Sequence, residues 1–506
     1  MTRQRAKTGS RLTGSLSRRF VLSGLVSGAA SVVAAAPLSS LRPQLRPDPS
    51  VVRGPQARPS LEDTVRQADL GGLTGIALAD VVSGTFVEGH LANVPLPPAS
   101  VTKVFSSYYA LEVLGPDFTF ETRLLALGEV TGGVLNGDLA LVGGGDPTLQ
   151  TDDLAEMAKA LAATGIKEVN GAFKVWGGAL PSVYEIDTGQ LDYLGYNPAI
   201  SGLNLNFNRV YFEWTPVADG YKVSMDARSE LYRPEVQIAR MQVVERDLPI
   251  YTYSNANNRD DWSVAKRALG TSGSRWLPVR YPELYTGEAF RALAAGMGVK
   301  LGAPQRVAER PEGRELVVHR SEPLVKVAQD CLKFSTNITA EVMGLTASTK
   351  VSGARPEGLA GSGQVMRDWI RARVDIRPTF VDHSGLGDRT RVSAEDMVKF
   401  LGSNGVYDRM GPLLKPVRVK DAKGSPVENP SARVNAKTGT LNFVSALAGY
   451  IERDGGTPLA FATFAADLPS RTAAKGSPDE VPSGASSWNG RARQLQHDLL
   501  RRWSVR

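Results

Sequence analysis

Alternation of apolar and polar residues runs through much of the first half of the chain and predicts β-strands. Residues 121–127, 172–176 and 220–225 alternate with a period of two, and Gly, Asn and Asp residues separate such runs. Residues 75–88 predict a β-hairpin, and residues 433–451 predict a second strand pair rich in apolar and β-branched residues. The pattern therefore indicates a protein with a large β content.

One long apolar stretch differs from these strands and predicts a buried helix. The prolines before Ser100 remove backbone donors and favour extended conformations, so the helix begins at about that residue. Gly115 and Pro116 end it. Its apolar positions form a broad surface, which consists of Val101, Val104, Phe105, Tyr108, Ala110, Leu111 and Leu114. A final amphipathic helix is predicted at residues 488–503, packed on the sheet that contains the first hairpin.

Composition and charge are those of an exported globular protein. The 506 residues exceed what one core usually supports, and 42% apolar with 22% charged residues is ordinary for folded proteins. The net charge of +7 is concentrated at the N-terminus, where residues 1–35 hold six cations and no acidic residue: Arg3, Arg5, Lys7, Arg11, Arg18 and Arg19. Without residues 1–35 the net charge falls to +1, so nothing indicates nucleic-acid binding.

The segment around and after those cations predicts export. Residues 21–36 are uncharged and end in small residues, as in a signal peptide, which we place at residues 1–35. Residues 17–22 resemble a twin-arginine signal, with Val21 in place of the usual phenylalanine. Residues 36–58 are rich in proline and predict an extended tether. We expect the mature protein in the periplasm or at the exterior of the cell envelope.

The start of the buried helix carries the first candidate chemistry. Ser100 and Lys103 are three residues apart, which places a hydroxyl and an amine on one helical face. A neighbouring base with a lowered pKa can activate a serine, so this pair predicts acyl transfer. The same spacing recurs at Ser263 and Lys266 after a polar run, without the long apolar continuation. We interpret that second copy as the start of a solvent-exposed helix.

Two further motifs favour Ser100. Ser335-Thr336-Asn337 precedes the helix-like residues 338–347, so a turn there could direct a hydroxyl and an amide into a cleft. Lys437-Thr438-Gly439 lies within the second predicted strand pair, and a glycine there would let a ligand approach the strand closely. Similar triplets at residues 487–489 and 7–9 lack such flanking structure.

The chain resembles the D-alanyl-D-alanine carboxypeptidases of the low-molecular-mass class C penicillin-binding proteins. The three motifs occur in that family's order, and similar segments recur at residues 139–149, 196–206 and 382–386. His383 stands where the family usually has glycine. The resemblance implies an α+β fold with a β-lactamase/transpeptidase-like catalytic domain, in which helices flank an antiparallel sheet, and a large, mostly β insertion.

The spacing of the motifs predicts the domain organisation. Ser100 and Ser335 are 235 positions apart, and the strand-like residues between them indicate a folded insertion. We expect the first part of a discontinuous catalytic domain at residues 59–118, one or more inserted domains at residues 119–314, and the second catalytic part at residues 315–506.

The resemblance also implies roles for single residues. Ser100 is the expected nucleophile and Lys103 its base, with a pKa lowered by burial and by Lys437. Ser335 would relay a proton, and the backbone N–H groups of Ser100 and Thr440 would form the oxyanion hole. The expected substrate-binding residues are Asn337, Lys437, Thr438, Gly439 and Thr440. The expected partners are peptidoglycan stem peptides and β-lactam antibiotics, with no metal or cofactor, and the oligomeric state is left open.

Other interpretations stay open at this stage. A β-lactamase or esterase of the same fold would share the motifs, and a wall-binding scaffold could keep the fold without catalysis; D,D-endopeptidase activity could accompany the carboxypeptidase. A Ser-His-Asp triad through His383 and Asp382 lacks the G-x-S-x-G elbow. Cys331, the single cysteine, is expected to fill a helix core. Asp146 could read the third stem residue or could shape a turn.

Overall fold

Residues 59–421, 424–427 and 431–504 are those that a computed structural model of the chain describes. The predicted signal peptide and tether lie outside these residues. In the described part of the chain, no helix combines the length and the apolar character needed to span a bilayer.

The helices include both of those predicted from the sequence. The buried one follows a 3-10 turn at Ala99–Val101 and ends at Gly115, whose φ of 98° only glycine adopts readily. The helices are α1 (Leu61–Gln67), α2 (Thr102–Leu114), α3 (Thr151–Ala163), α4 (Pro282–Gly296), α5 (Leu324–Phe334), α6 (Asn337–Ser352), α7 (Leu359–Arg371), α8 (Ala394–Leu401), α9 (Val406–Met410), α10 (Leu468–Ala473) and α11 (Ala485–Ser504).

The strands occur before α2, between α2 and α5, and after α9. They are β1 (Leu73–Asp80), β2 (Phe86–His90), β3 (Glu121–Thr131), β4 (Val134–Gly143), β5 (Glu168–Val169), β6 (Phe173–Trp176), β7 (Arg209–Val217), β8 (Gly220–Asp226), β9 (Ala239–Val244), β10 (Tyr251–Ser254), β11 (Asp260–Ala265), β12 (Gly273–Pro278), β13 (Pro304–Arg306), β14 (Arg314–Arg320), β15 (Lys415–Pro416), β16 (Ala432–Leu441), β17 (Val444–Arg453) and β18 (Leu459–Ala466). Both predicted hairpins, β1-β2 and β16-β17, are confirmed.

One antiparallel sheet supports the buried helix. Its strand order is β15-β16-β17-β18-β1-β2, so the first strand of the chain pairs with the last, with Leu73 opposite Ala466. Helices cover both faces, and every residue of β18 is buried as a result. On one face Trp488 and Trp503 of α11 pack against the sheet, which confirms the predicted C-terminal helix. On the other face α2, α5, α6, α7 and α8 share a core with it.

The region between β3 and β14 builds separate sheets with their own apolar core. The strand orders are β13-β6-β4-β3-β14, with β5 paired to β4, then β12-β7-β8 and β10-β11-β9. Phe173 of β6 and Phe290 of α4 lie in that core, with ring centroids 5.8 Å apart. The expected folded, mostly β insertion is present. β14 belongs to the sheets of this region and ends at Arg320, six residues beyond the predicted boundary at residue 314. The division into domains stays a prediction.

The second Ser-x-x-Lys copy is not the start of a helix, contrary to the prediction. Ser263 lies within β11, and Lys266 begins a 3-10 turn that follows the strand. Ser263 Oγ contacts Thr252 Oγ1 at 2.6 Å and accepts a hydrogen bond from Arg246. Lys266 is ion-paired with Glu245. Asp260, Trp262 and Val264 are buried in alternation, as expected for a strand. The strand has only six residues, which is too few to distinguish a strand from a helix by the spacing of its apolar residues.

Candidate active site

The turn before α2 and the first turn of α2 bring a serine and a lysine together. Lys103 Nζ lies 3.0 Å from Ser100 Oγ and donates hydrogen bonds to Asn337 Oδ1 at 2.7 Å and to the Ser384 carbonyl at 2.8 Å. The Lys103 side chain is 0% exposed. The amine therefore meets its polar partners in a dry environment.

Burial lowers the pKa of Lys103 from 10.5 to about 8, against the opposing charges of Glu341 and Asp382. A neutral amine has two N–H groups and one lone pair. Because Asn337 Oδ1 and the Ser384 carbonyl can only accept, they take the two N–H groups. The lone pair is then left for the hydroxyl of Ser100, which is the arrangement that a general base requires.

The second motif occupies the junction between α5 and α6. Ser335 ends α5 in a left-handed conformation, with φ 62° and ψ 35°, and Asn337 begins α6. Ser335 Oγ accepts a hydrogen bond of 2.9 Å from Lys437 Nζ. Asn337 Nδ2 donates to the Tyr196 carbonyl at 2.9 Å. The turn thus presents a hydroxyl and an amide to the same cleft, as expected from the sequence.

Lys437 of β16 is the second buried lysine. Its side chain donates to Ser335 and, at 2.7 Å, to the Thr438 carbonyl. Burial and, after it, the like charge of Lys103 lower the pKa of Lys437 to about 6. The sequence predicts that Lys437 lowers the pKa of Lys103. In the structure Lys103 instead lowers the pKa of Lys437, and burial accounts for the lowered pKa of Lys103. Ser335, the expected proton relay, is bonded to Lys437.

Gly439 permits a close approach, but the approaching group belongs to the protein itself. A Cβ at Gly439 would lie 2.6 Å from the Pro98 carbonyl oxygen and 3.0 Å from the Ser100 nitrogen. The reason inferred from the sequence, space for a ligand, was therefore wrong. The missing side chain lets β16 pack directly against the turn that carries Ser100.

A cleft of about 440 Å³ lies over these groups. Among the described residues, its lining includes Ser100, Ser335, Asn337 and Thr440, while both lysines lie beneath it and Thr438 and Gly439 are not part of its wall. The remaining lining residues come from the inserted region, the loop after Asp382 and the C-terminal segment: Gln190, Tyr196, Gly385, Leu386, Leu441, Asn442, Arg471, Glu480, Val481, Ser486, Asn489 and Arg493.

Two buried carboxyl groups, Glu341 and Asp382, lie under the cleft, and the three sequence motifs assign no role to them. Glu341, fully buried on α6, accepts hydrogen bonds from the backbone N–H groups of His383 and Ser384 at 2.9 and 2.8 Å. Asp382 accepts from the N–H groups of Gly385 and Gly387. Burial raises the pKa of both carboxyls, and the Asp382 charge adds to the rise at Glu341. The position of Glu341 one helical turn after Asn337 was the available signal.

The structure does not support a triad through His383. The ring is fully buried, its Nε2 lies 2.7 Å from Ser362 Oγ, and burial lowers its pKa to about 3. Asp382 bonds to backbone N–H groups instead of to the ring. The ring occupies space beside Gly344, where a Cβ would lie 2.2 Å from it. This pairing explains how the loop accommodates histidine where the family usually has glycine.

Two other sequence candidates, Asp146 and Cys331, have structural roles. Asp146 is buried after β4 and accepts hydrogen bonds from the N–H and hydroxyl groups of Thr148, so it shapes a turn. Cys331 is buried within α5, as expected. Within the described residues, no group of three or more His, Cys, Asp or Glu side chains could hold a metal ion.

Comparison with known proteins identifies the family. The model of the D-Ala-D-Ala carboxypeptidase 3 (S13) family matches residues 57–480. The chain belongs to this family. A D-alanyl-D-alanine carboxypeptidase from Actinomadura sp. (strain R39) is 27% identical over 428 residues, which cover 75% of this chain and 75% of the relative.

Solved structures show the same fold. The crystal structure of penicillin binding protein 4 (dacB) from Haemophilus influenzae has a TM-score of 0.72 at 19% identity and covers 88% of this chain and 100% of its own. A second crystal structure of that protein, complexed with a β-lactam, has a TM-score of 0.68 at 19% identity and the same coverage. The β-lactamase/transpeptidase-like fold and the serine-type D-alanyl-D-alanine carboxypeptidase class expected from the sequence are confirmed.

Proposed function

We propose that this member of the S13 family removes the terminal D-alanine from peptidoglycan stem peptides through an acyl-enzyme on Ser100. The buried amine of Lys103 supports this proposal most directly, since it lies 3.0 Å from Ser100 Oγ with its N–H groups already bonded to two carbonyl oxygens. In the first step Lys103 takes the Ser100 proton and the alkoxide attacks the carbonyl of the penultimate D-alanine.

The remaining groups have proposed roles around that step. The N–H groups of Ser100 and Thr440 stabilise the oxyanion, each by about 3 kcal/mol. Asn337 binds the substrate amide through the second N–H of its side chain. Ser335 relays the proton from Lys103 to the amine of the leaving D-alanine as the peptide bond breaks, which returns Lys103 to its neutral form. Water then attacks the acyl carbonyl, frees Ser100 and releases the shortened peptide. Lys437 and Thr440 hold the substrate carboxylate. Thr438 and Gly439, the other expected substrate-binding residues of this motif, lie on the same strand.

Carboxylate binding at Lys437 is linked to protonation. The amine has a pKa of about 6 in the free enzyme because of burial and of Lys103. A substrate carboxylate placed beside it favours the ammonium form and raises that pKa. We therefore propose that the substrate itself restores the charge that binds it.

Benzylpenicillin tests the proposal because β-lactams imitate the D-alanyl-D-alanine terminus. We expect the intact-protein mass to increase by one penicillin, and peptide mapping to place the adduct on Ser100. Hydrolysed penicillin without an adduct would instead indicate a β-lactamase. Intact penicillin without an adduct would indicate the scaffold interpretation.

The value of kcat is expected to rise with pH and to level off above about pH 8, because the bound substrate keeps Lys437 charged. Lys103 must be neutral to accept the Ser100 proton, and burial lowers its pKa from 10.5 to about 8. Below that pH the ammonium has no lone pair, so the rate falls as pH falls. The measurement is kcat for an acyl-D-Ala-D-Ala peptide at saturating concentration on both sides of this pH. A rate independent of pH across the interval would rule out this use of Lys103.

Gly439→Ala is expected to lower kcat/KM roughly 100-fold, since a displacement of about 1 Å at a reacting group has effects of that size. The new methyl group would overlap the Pro98 carbonyl and press on the Ser100 nitrogen. Gly490→Ala in α11 is the matched control, because a Cβ there meets no atom within 4 Å. Steady-state kinetics compare the two variants. Equal activities would show that the contact between β16 and the Ser100 turn does not position the nucleophile.

We also propose export by the twin-arginine-like signal and a catalytic domain split by the insertion. The peptidoglycan substrate requires a location outside the cytoplasm, in agreement with the charge and apolar pattern of the N-terminal segment. An apolar core built wholly from the inserted region supports the division, while Leu180, Ile186 and Ile200 of that region pack into the core on the helical side of the main sheet. Comparing a stem pentapeptide with a cross-linked dimer as substrates separates carboxypeptidase from endopeptidase activity.

A further inference from the structure

Arg280 is a buried cation in the inserted region, between β12 and α4. Its side chain is 0% exposed. The guanidinium donates to the carbonyls of Asn197 at 2.6 Å, Tyr184 at 3.1 Å and Asp192 at 3.1 Å. It also lies 3.5 Å from the Glu185 carboxylate. Because a buried charge is costly unless its hydrogen bonds are satisfied, these acceptors fix the surrounding chain around the guanidinium.

The segment that Arg280 holds, residues 184–197, reaches the active site. The Tyr196 carbonyl accepts the hydrogen bond from Asn337 Nδ2 at 2.9 Å. Arg280 binds the carbonyl of Asn197, the next residue along the chain. The Asn197 side chain secures the same segment, since its Oδ1 accepts from the N–H groups of Ile186 and Asp187 at 2.9 Å each. A shift of this segment would therefore move the Tyr196 carbonyl.

The Tyr196 carbonyl determines which way the Asn337 amide faces. A carbonyl can only accept, so it selects Nδ2 over Oδ1. With Nδ2 held in this way, Oδ1 faces Lys103 Nζ at 2.7 Å. If the amide rotated, its NH₂ group would face the Lys103 amine, and that amine would lose an acceptor.

We propose that Arg280 is a positioning residue for acyl transfer, acting through residues 184–197 and the Tyr196 carbonyl on the Asn337 amide. The inference rests on the proposed function, because it assumes that Asn337 and Lys103 serve Ser100. It gives the inserted region a direct part in aligning the reacting groups. A purely structural Arg280 would stabilise the insertion without acting through Asn337.

A double-mutant cycle separates the two roles. The variants are Arg280→Met, Asn337→Ala and the double variant, and the readout is the rate constant for acylation by benzylpenicillin, followed by intact-protein mass. We expect Arg280→Met alone to lower the rate roughly 10- to 100-fold. The double variant should be no slower than Asn337→Ala, since the effect of Arg280 passes through the amide that is already absent. The proposal would be overturned if Arg280→Met slowed acylation by the same factor in the Asn337→Ala background as in the wild type.

The pH dependence provides a second readout. Loss of the Asn337 oxygen as an acceptor disfavours the ammonium form of Lys103, so the rise of the acylation rate should occur at lower pH in Arg280→Met. An unchanged pH profile would contradict the proposal even if the rate fell.

Two further variants test for a folding defect. Arg280→Lys keeps the cation but has no planar fork for three carbonyls, so we expect an intermediate rate. If Arg280→Met does not fold, the cycle is made with Arg280→Lys and judged in the same way. Arg267→Met removes an exposed arginine of the same region, ion-paired with Asp247 at 3.0 Å, and should acylate at the wild-type rate. If the wild-type protein forms no adduct on Ser100, the proposed function fails. If the wild type forms the adduct but the two substitutions slow acylation independently, only the role of Arg280 fails.

Discussion

Ser100→Ala is expected to abolish D-alanyl-D-alanine carboxypeptidase activity, with kcat lowered by a factor on the order of 10⁴ or more. The hydroxyl, in the cleft wall, is the group that forms the acyl-enzyme, and it lies 3.0 Å from the buried amine of Lys103. Ser335, the other cleft serine beside a buried amine, is bonded to Lys437 at 2.9 Å and is proposed to relay a proton. Release of D-alanine from a stem pentapeptide measures the activity, and the intact-protein mass shows whether any acyl group is still transferred.

Ser263→Ala is the matched control for Ser100→Ala. It removes the hydroxyl of the other Ser-x-x-Lys copy, which lies on β11 and is bonded to Thr252 and Arg246. Activity and adduct formation should match those of the wild type. If Ser263→Ala were inactive and Ser100→Ala active, the nucleophile would be assigned to the wrong motif.

Lys103→Arg is expected to reduce kcat by about 10³-fold, within the usual range for loss of a general base. The substitution keeps a positive charge near Glu341 and Asp382, so the local charge balance changes little. A guanidinium stays protonated at all accessible pH values and has no lone pair for the Ser100 proton. The residual rate should also lose its rise near pH 8, which kcat measurements over pH would show.

Lys103→Met complements the arginine variant because it removes the charge as well. If Lys103 acted only through its charge, Lys103→Arg would be nearly as active as wild type and Lys103→Met inactive. If it is the base, both variants are inactive.

Lys437→Met should differ from both Lys103 variants by raising KM more than it lowers kcat, because Lys437 is proposed to bind the substrate carboxylate.

The parts of the site that could be predicted from the sequence are those set by local geometry. Ser100 and Lys103 lie within one helical turn, and the prolines before them define where that turn begins. Asn337 begins a helix and Lys437 lies on a strand, so each motif could be assigned to its element. The hydrogen bonds of Lys103 to Asn337 and Ser384 cross 234 and 281 positions of the chain, and no periodicity reports such contacts.

Errors in the sequence-based predictions had the same origin. The sequence alone predicts space for a ligand at Gly439, because the approach of the Ser100 turn to β16 depends on tertiary packing. The sequence around Ser263 alone predicts the start of a helix, because its strand partners, β9 and β10, are other segments of the chain. The buried carboxylates Glu341 and Asp382 and the cation Arg280 became apparent only from their neighbours in space.

The pairing of β1 with β18 has a consequence for synthesis of the enzyme. β1 precedes the nucleophile, yet β18, one of its two neighbours in the sheet, is made only after β16, the strand that packs against the Ser100 turn. Contacts between such distant segments form slowly because a long loop must close first. A ribosome-bound or truncated chain that ends before β18 therefore carries the serine and its lysine without the sheet that aligns them. Hydrolytic activity should therefore emerge only after β18 has left the ribosome and joined the sheet.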